Sequence, residues 1–159
     1  MRIEVDDLSR PQVIALIDHH LREAHANSPP GQVFALGPAG LRDPAMTVWT
    51  MWEDDALLAM GALKRLDPNH GPEHGPDHGE VKSMRTAPAH LRRGLGGLML
   101  GHLVAEAQRR GYRRLSLETG NNRQYAPAWA MYERAGFVAC GPFADYRDES
   151  FSRYFTMEL

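Results

Sequence analysis

The chain has one cysteine, Cys140, in 159 residues. That excludes an intrachain disulfide and suits a reducing compartment. There is no apolar run of membrane-spanning length and no N-terminal signal-peptide core, which predicts a cytoplasmic protein without a membrane partner. Charge of either sign is not in excess: the formal net charge is −2, too small for general attraction to nucleic acid. The run Arg109, Arg110, Arg113 and Arg114 reads better as a solvated helix end, where cations suit the dipole. Hydrophobic residues at 43% and charged residues at 24% are ordinary for one domain, 1–159, long enough to bury a core without staples.

What is present concentrates between Gly79 and Arg110. A short strand, Glu80 to Arg85, runs into a loop, Thr86 to Gly97, and then into a long amphipathic helix. That order gathers free backbone N–H groups before the positive end of a helix dipole, an arrangement that binds phosphate. The glycines Gly94, Gly96 and Gly97 remove Cβ atoms where a pyrophosphate would touch main chain. Arg92 and Arg93 add positive charge beside it. Two nucleotide readings fail. No Lys or hydroxyl follows these glycines as a Walker A loop requires, and Met99 stands where the dinucleotide fingerprint needs its third glycine.

The string Thr86-Ala87-Pro88-Ala89-His90-Leu91-Arg92-Arg93-Gly94-Leu95-Gly96 resembles the acetyl-CoA loop of the GNAT superfamily of N-acetyltransferases. A second string, Ala128-Trp129-Ala130-Met131-Tyr132-Glu133-Arg134-Ala135-Gly136-Phe137, is similar to that family's Ala-x-x-Leu-Tyr-x-x-x-Gly-Phe helix and strand. The two stand in the family's order and at its usual separation, and together cover roughly the C-terminal half. Leu91 departs from the usual Gln or Arg, and Tyr125 from a common Asn, whose role Asn121 or Asn122 would take. Lys82-Ser83-Met84-Arg85-Thr86, Glu118-Thr119-Gly120 and Pro142-Phe143-Ala144-Asp145-Tyr146 also look like one bacterial subgroup of small members.

The resemblance implies an acetyl-CoA-dependent N-acetyltransferase that acts on a small-molecule or terminal amine by direct attack in a ternary complex, with CoA as product. Met84, Arg85 and Thr86 would pair main chain with the pantetheine arm and hold the acetyl oxygen. The loop from Leu91 through Arg92, Arg93, Gly94, Leu95 and Gly96 to Gly97 would hold the diphosphate. Asn122, Tyr125, Ala128 and Tyr132 would line the far side. Tyr132 would protonate or hold the departing thiolate, and Glu80 would deprotonate the substrate ammonium, with Glu118 as a second candidate. The fold implied is α+β: a mixed, mostly antiparallel sheet of about six to seven strands, helices on both faces and a splayed strand pair forming the acyl-CoA slot. The resemblance leaves a homodimer open.

Patterning alone supplies the remaining elements. Arg2 to Val5 is a strand; Ser9 with Gln12 makes a capping box, and Pro11 opens a helix to about Ala24. Asn27 to Pro44 is irregular, with room for a helical turn. Met46 to Trp52 and Ala56 to Leu66 form a hairpin around Asp54-Asp55, and Asp67 to Gly79 is a loop. Arg113 to Glu118 is a strand, Pro127 opens a helix ended by Gly136, and Phe137 to Phe143 and Ser152 to Glu158 are closing strands.

Several groups have competing bland readings. Tyr132 by itself is a core aromatic at helical spacing, and Glu80 and Glu118 are strand-end acids. His70, His74 and His78 suggest a metal, but Gly-Pro after two of them forbids a shared helix face, so a duplicated loop without metal is preferred. Trp49, Trp52, Tyr146 and Tyr154 are core or acceptor-pocket aromatics, and Cys140 has no paired His to make it a nucleophile. A carrier-binding module without turnover and a transferase of longer acyl groups are the rival functions.

Overall fold

A computed structural model describes residues 1–67, 77–148 and 151–159. The chain begins with β1 (Arg2–Val5), followed by α1 (Pro11–Ala26). Pro11 suits the first helical turn because its fixed φ is already helical and its missing N–H would be unpaired there. Val13, Leu16 and Ile17 are the buried stripe of α1. The expected capping box does not form. Arg10 is the N-cap, and the Ser9 hydroxyl and amide instead bind the Asp7 carboxylate at 2.5 and 3.0 Å. Local competition for the hydroxyl removed the cap.

After a short α2 (Pro38–Leu41), β2 (Met46–Glu53) and β3 (Ala56–Arg65) form the hairpin, turning at Asp54 with φ +50°. Then come β4 (His78–Thr86), α3 (Leu95–Arg109), β5 (Arg114–Gly120), α4 (Ala126–Arg134), β6 (Val138–Cys140) and β7 (Ser152–Glu158). Among the described residues seven strands make one sheet in the order β1-β2-β3-β4-β5-β7-β6. Every pairing is antiparallel except β4 with β5. The α+β expectation, helices on both faces included, holds.

The alternation of β2 separates the two faces. Trp49 and Met51 join Leu95, Met99, Leu100, Leu103 and Ala107 of α3 and Tyr132 of α4 in one core. Val48 and Trp52 face the other way, onto Val13, Leu16 and Ile17 of α1 and Leu41 of α2.

Some element ends differ from the sequence reading. His78 and Gly79 belong to β4, not to the preceding loop, because they pair with Arg114 and Leu115 and because His78 Nε2 lies 2.7 Å from Ser116 Oγ. β6 stops at Cys140 rather than Phe143; Gly141-Pro142 follows, and a proline cannot donate to a ladder. α3 starts at Leu95, two residues before Gly97. The connection from β4 to α3, residues 87–94, is therefore shorter than expected.

The feature that positions the site is where β4 and β5 part. Their parallel pairing runs only from His78–Arg114 to Glu80–Ser116. Among the described residues, the edge of β4 that faces β5 has no strand across from it beyond Glu80. The end of β5 is held elsewhere: the Trp129 indole N–H donates to the Gly120 carbonyl at 2.9 Å. The Tyr125 ring lies so close over Gly120 that an added Cβ would fall 2.3 Å from it. Only glycine permits that approach.

Candidate functional site

Two walls meet at this opening. The first is the start of α3. Its first helical hydrogen bond runs from the Leu98 amide to the Gly94 carbonyl at 3.2 Å. The amides of Gly94, Leu95, Gly96 and Gly97 therefore have no helical acceptor and point out of the helix end with its positive dipole behind them. Gly94 is the N-cap with φ +74°, a left-handed conformation that glycine adopts without strain. At Gly96 an added Cβ would stand 3.0 Å from Met131 Sδ, so this glycine lets α3 approach α4. At Gly97 nothing lies within 4 Å of an added Cβ. Arg92, at φ +63°, makes no ion pair among the described residues, whereas Arg93 reaches Glu53 at 3.4 Å and His90 Nδ1 at 3.0 Å. Leu91 is 55% exposed and can offer only main chain or apolar surface. Leu95 turns its side chain into the core and leaves only its amide to a ligand.

The second wall is β4. Its register against β3 slips between Met60 and Ala62, and Ser83 has φ +53°. A bulge of this kind bends a strand and re-aims its side chains. Met84 packs against Gly61 on the α3 face, and Thr86 lies beside Gly96. Arg85 points to the opposite face, where its Nη2 donates to His19 Nε2 of α1 at 2.8 Å. Its side chain is therefore turned away from α3, and only its main chain lies along the opening.

Glu80 is 2% exposed. Its Oε1 accepts from Lys82 Nζ at 3.1 Å and from the Tyr146 hydroxyl in a short hydrogen bond, and Lys82 Nζ also donates to Tyr146 at 2.8 Å. Burial first, then the Glu80 carboxylate, push the Tyr146 phenol up, so it stays protonated and donates. Phe34, from the segment after α1, stands edge-on to Tyr146 at 5.2 Å. Across the opening, Glu118 Oε1 accepts from Ser152 Oγ at 2.8 Å. Burial raises its pKa, with the Ser152 hydrogen bond and Lys82 opposing. Tyr132 is 7% exposed, with its ring against Phe137 and Phe155, each at 6.0 Å. Burial, then the Glu118 charge, hold its phenol in the protonated form.

The structure therefore brings Glu80, Glu118, Tyr132, the β4 bulge and the α3 amides to one opening. Asn122 is committed to structure: its Oδ1 accepts from the Gln124 amide at 3.1 Å, and its Nδ2 donates to the Asn27 carbonyl at 3.0 Å. Tyr125 packs on Gly120, and Ala128 packs against the larger core. Sequence reasoning missed Lys82, and placed Tyr146 only among aromatics of undecided role. Lys82 was legible, because residues two apart on a strand share a face and Glu80 was already a candidate. Trp49, Trp52 and Tyr154 are core.

Arg109 and Arg110 both pair with Glu106, Arg113 with Asp77 and Arg114 with Glu158. His70 and His74 lie outside the described residues, and among the described residues no three metal-ligating side chains gather. Burial pushes the Cys140 thiol up, away from nucleophilic character. No described helix is long and apolar enough to cross a membrane.

Comparison with known proteins places this geometry. The model of the acetyltransferase (GNAT) family matches residues 12–137. The uncharacterized N-acetyltransferase YsnE of Bacillus subtilis is 45% identical over 159 residues, covering 100% of both chains. The uncharacterized N-acetyltransferase YedL of Escherichia coli is 43% identical, covering 99% of this chain and 94% of its own. A GNAT family acetyltransferase from Elizabethkingia anophelis, solved with acetyl-CoA bound, superposes with a TM-score of 0.67 at 17% identity, covering 99% of this chain and 97% of that one.

Proposed function

The chain belongs to the GNAT family of acetyltransferases, and we propose that it moves the acetyl group of acetyl-CoA to a primary amine by direct attack in a ternary complex. The observation that carries this reading is the parting of β4 from β5 beside a helix start with four uncommitted amides. Those amides fit a diphosphate, with Arg92 as the adjacent unpaired cation, and the open edge of β4 fits an extended amide-bearing chain. Acetyl-CoA supplies an acyl carbonyl activated as a thioester.

The protein's own groups do the rest. The amides of Gly94 to Gly97 hold the diphosphate, and the edge of β4 at Met84 to Thr86 holds the arm. The bulge aims backbone N–H groups at the carbonyl oxygen, where negative charge develops. Tyr132, kept protonated, gives its proton or a hydrogen bond to the departing sulfur. Glu118 takes the proton of the attacking amine: burial raises its pKa toward the working range of a base. Glu80, with Oε1 occupied by Lys82 and Tyr146, holds those two side chains in place.

The test is a panel of amines assayed with acetyl-CoA by release of free thiol. Wild type releases thiol with at least one amine. Glu118→Gln lowers kcat/KM on the order of 10²-fold and flattens the acid limb of its pH profile, and Glu80→Gln lowers it by about tenfold with the limb kept. The reverse ranking returns the proton to Glu80. CoA binding without thiol release from any amine makes the chain a carrier-binding module instead.

A further inference from the structure

We propose that the acceptor amine also carries a carboxylate, as a free amino acid does, and that Arg85 on the α1 face of β4 grips that carboxylate. The proposal rests on the acyltransfer reading above and names its substrate class.

The argument begins with the two faces of β4. Val81 and Met84 belong to the core under α3, and Thr86 touches the start of that helix. Glu80, Lys82 and Arg85 point the other way, toward α1 and the segment after it. The cofactor wall is on the α3 side. The α1 side of the same opening is left for the acceptor.

Two cations lie on that side, and they differ. Lys82, with its side chain 11% exposed, is ion-paired to Glu80 and also donates to Tyr146. Arg85 is not. Its Nη2 meets a histidine nitrogen, and its nearest carboxylate, Glu23, is 4.0 Å away on a half-exposed side chain. Its Nε is buried with no partner. An uncommitted buried guanidinium N–H is costly unless a ligand takes it.

A further buried polar atom stands unpartnered near Arg85, whose charge it feels: His20 Nδ1 of α1. His20 is neutral at physiological pH. Burial, then the Arg85 charge, then His19, lower its pKa to about 4. Arg85 therefore offers a charged donor, and neutral His20 a donor or an acceptor according to its tautomer. A planar carboxylate, with two acceptor oxygens, matches a guanidinium fork better than any neutral group.

Polarity along β4 completes the case. The carboxyls Glu80 and Glu118 flank the inner end, where an ammonium would sit before losing its proton. Arg85 lies two residues beyond the bulge, about 7 Å of strand. A negative end followed by a positive end is the complement of a zwitterion.

The test is a matched series. The standard L-amino acids and several ω-amino acids are each assayed with saturating acetyl-CoA against the corresponding carboxamide, by thiol release. The amide's amine is less basic and so less protonated near neutrality, which favours it chemically. A preference for the acid must then come from recognition. The expected kcat/KM for the best acid exceeds its amide by on the order of 10- to 100-fold. Arg85→Gln brings that ratio close to one, mainly through KM, and Arg85→Lys restores part of it. Calorimetry with CoA accompanies each variant; a variant that has lost CoA binding is set aside, and the wild-type ratio decides. Equal use of acid and amide overturns the proposal, as does turnover of neutral amines with none of the acids. Absence of CoA heat in the wild type sinks the acyltransfer reading itself.

Discussion

Replacing Tyr132 by Phe lowers kcat by on the order of 10²-fold and leaves the CoA dissociation constant within about twofold of wild type. The two halves of this result come from different atoms. The ring supplies packing: it sits among Phe137 and Phe155 in the larger core, and Phe keeps that volume. The hydroxyl supplies a hydrogen bond to the departing sulfur. A thiolate leaving an acyl group in a site screened from water needs a partner, and a phenol held protonated by burial and by the Glu118 charge is such a partner. Single-turnover and steady-state thiol release, with CoA calorimetry on the same protein, separate the halves. A fall in CoA affinity that matches the fall in rate would make Tyr132 a packing residue only.

Replacing Gly97 by Leu removes CoA binding, by at least about 100-fold, while leaving the melting temperature unchanged or slightly higher. Three glycines stand at the start of α3 for three reasons. Gly94 is needed for its positive φ, and Gly96 for the approach of Met131. At Gly97 the backbone is helical and the space around an added Cβ is open, so the fold does not require glycine there. A helix prefers Leu to Gly by roughly 0.5–1 kcal/mol. Side chains on a helix tilt toward its N-terminus, so Leu at this position would cover the uncommitted amides. A protein that gains stability and loses its ligand identifies the amides as the ligand site. Thermal melts with CoA titration check both; retained affinity would move the diphosphate elsewhere.

The sequence was most legible where chemistry forces residue choice. The Thr86 to Gly97 string and the Ala128 to Phe137 string pointed to the family's fold because they stand together in its order and at its separation, although each alone has an ordinary structural reading. The hairpin of β2 and β3 followed from alternation, and the stripe of α1 from helical spacing. The misses were of tertiary origin. The capping box failed because Asp7, two residues away, took the Ser9 hydroxyl. His78 and Gly79 looked like the end of a repeated loop, and only their pairing with β5 shows them as strand. Arg85 was expected to contribute main chain only, and the role of its side chain, turned to α1 beyond the bulge at Ser83, was left unassigned. A bulge in a strand leaves no periodic trace in the residues themselves, so which face Arg85 serves was not readable before the structure.

The measurement that tests the central claim most directly is calorimetric titration of the folded wild-type protein with CoA and, separately, with pantetheine, which lacks the diphosphate. If the amides of Gly94 to Gly97 clasp that group, CoA binds in a one-to-one stoichiometry and pantetheine binds at least about 100-fold more weakly. Equal affinity for the two, or no heat with CoA, would contradict the account.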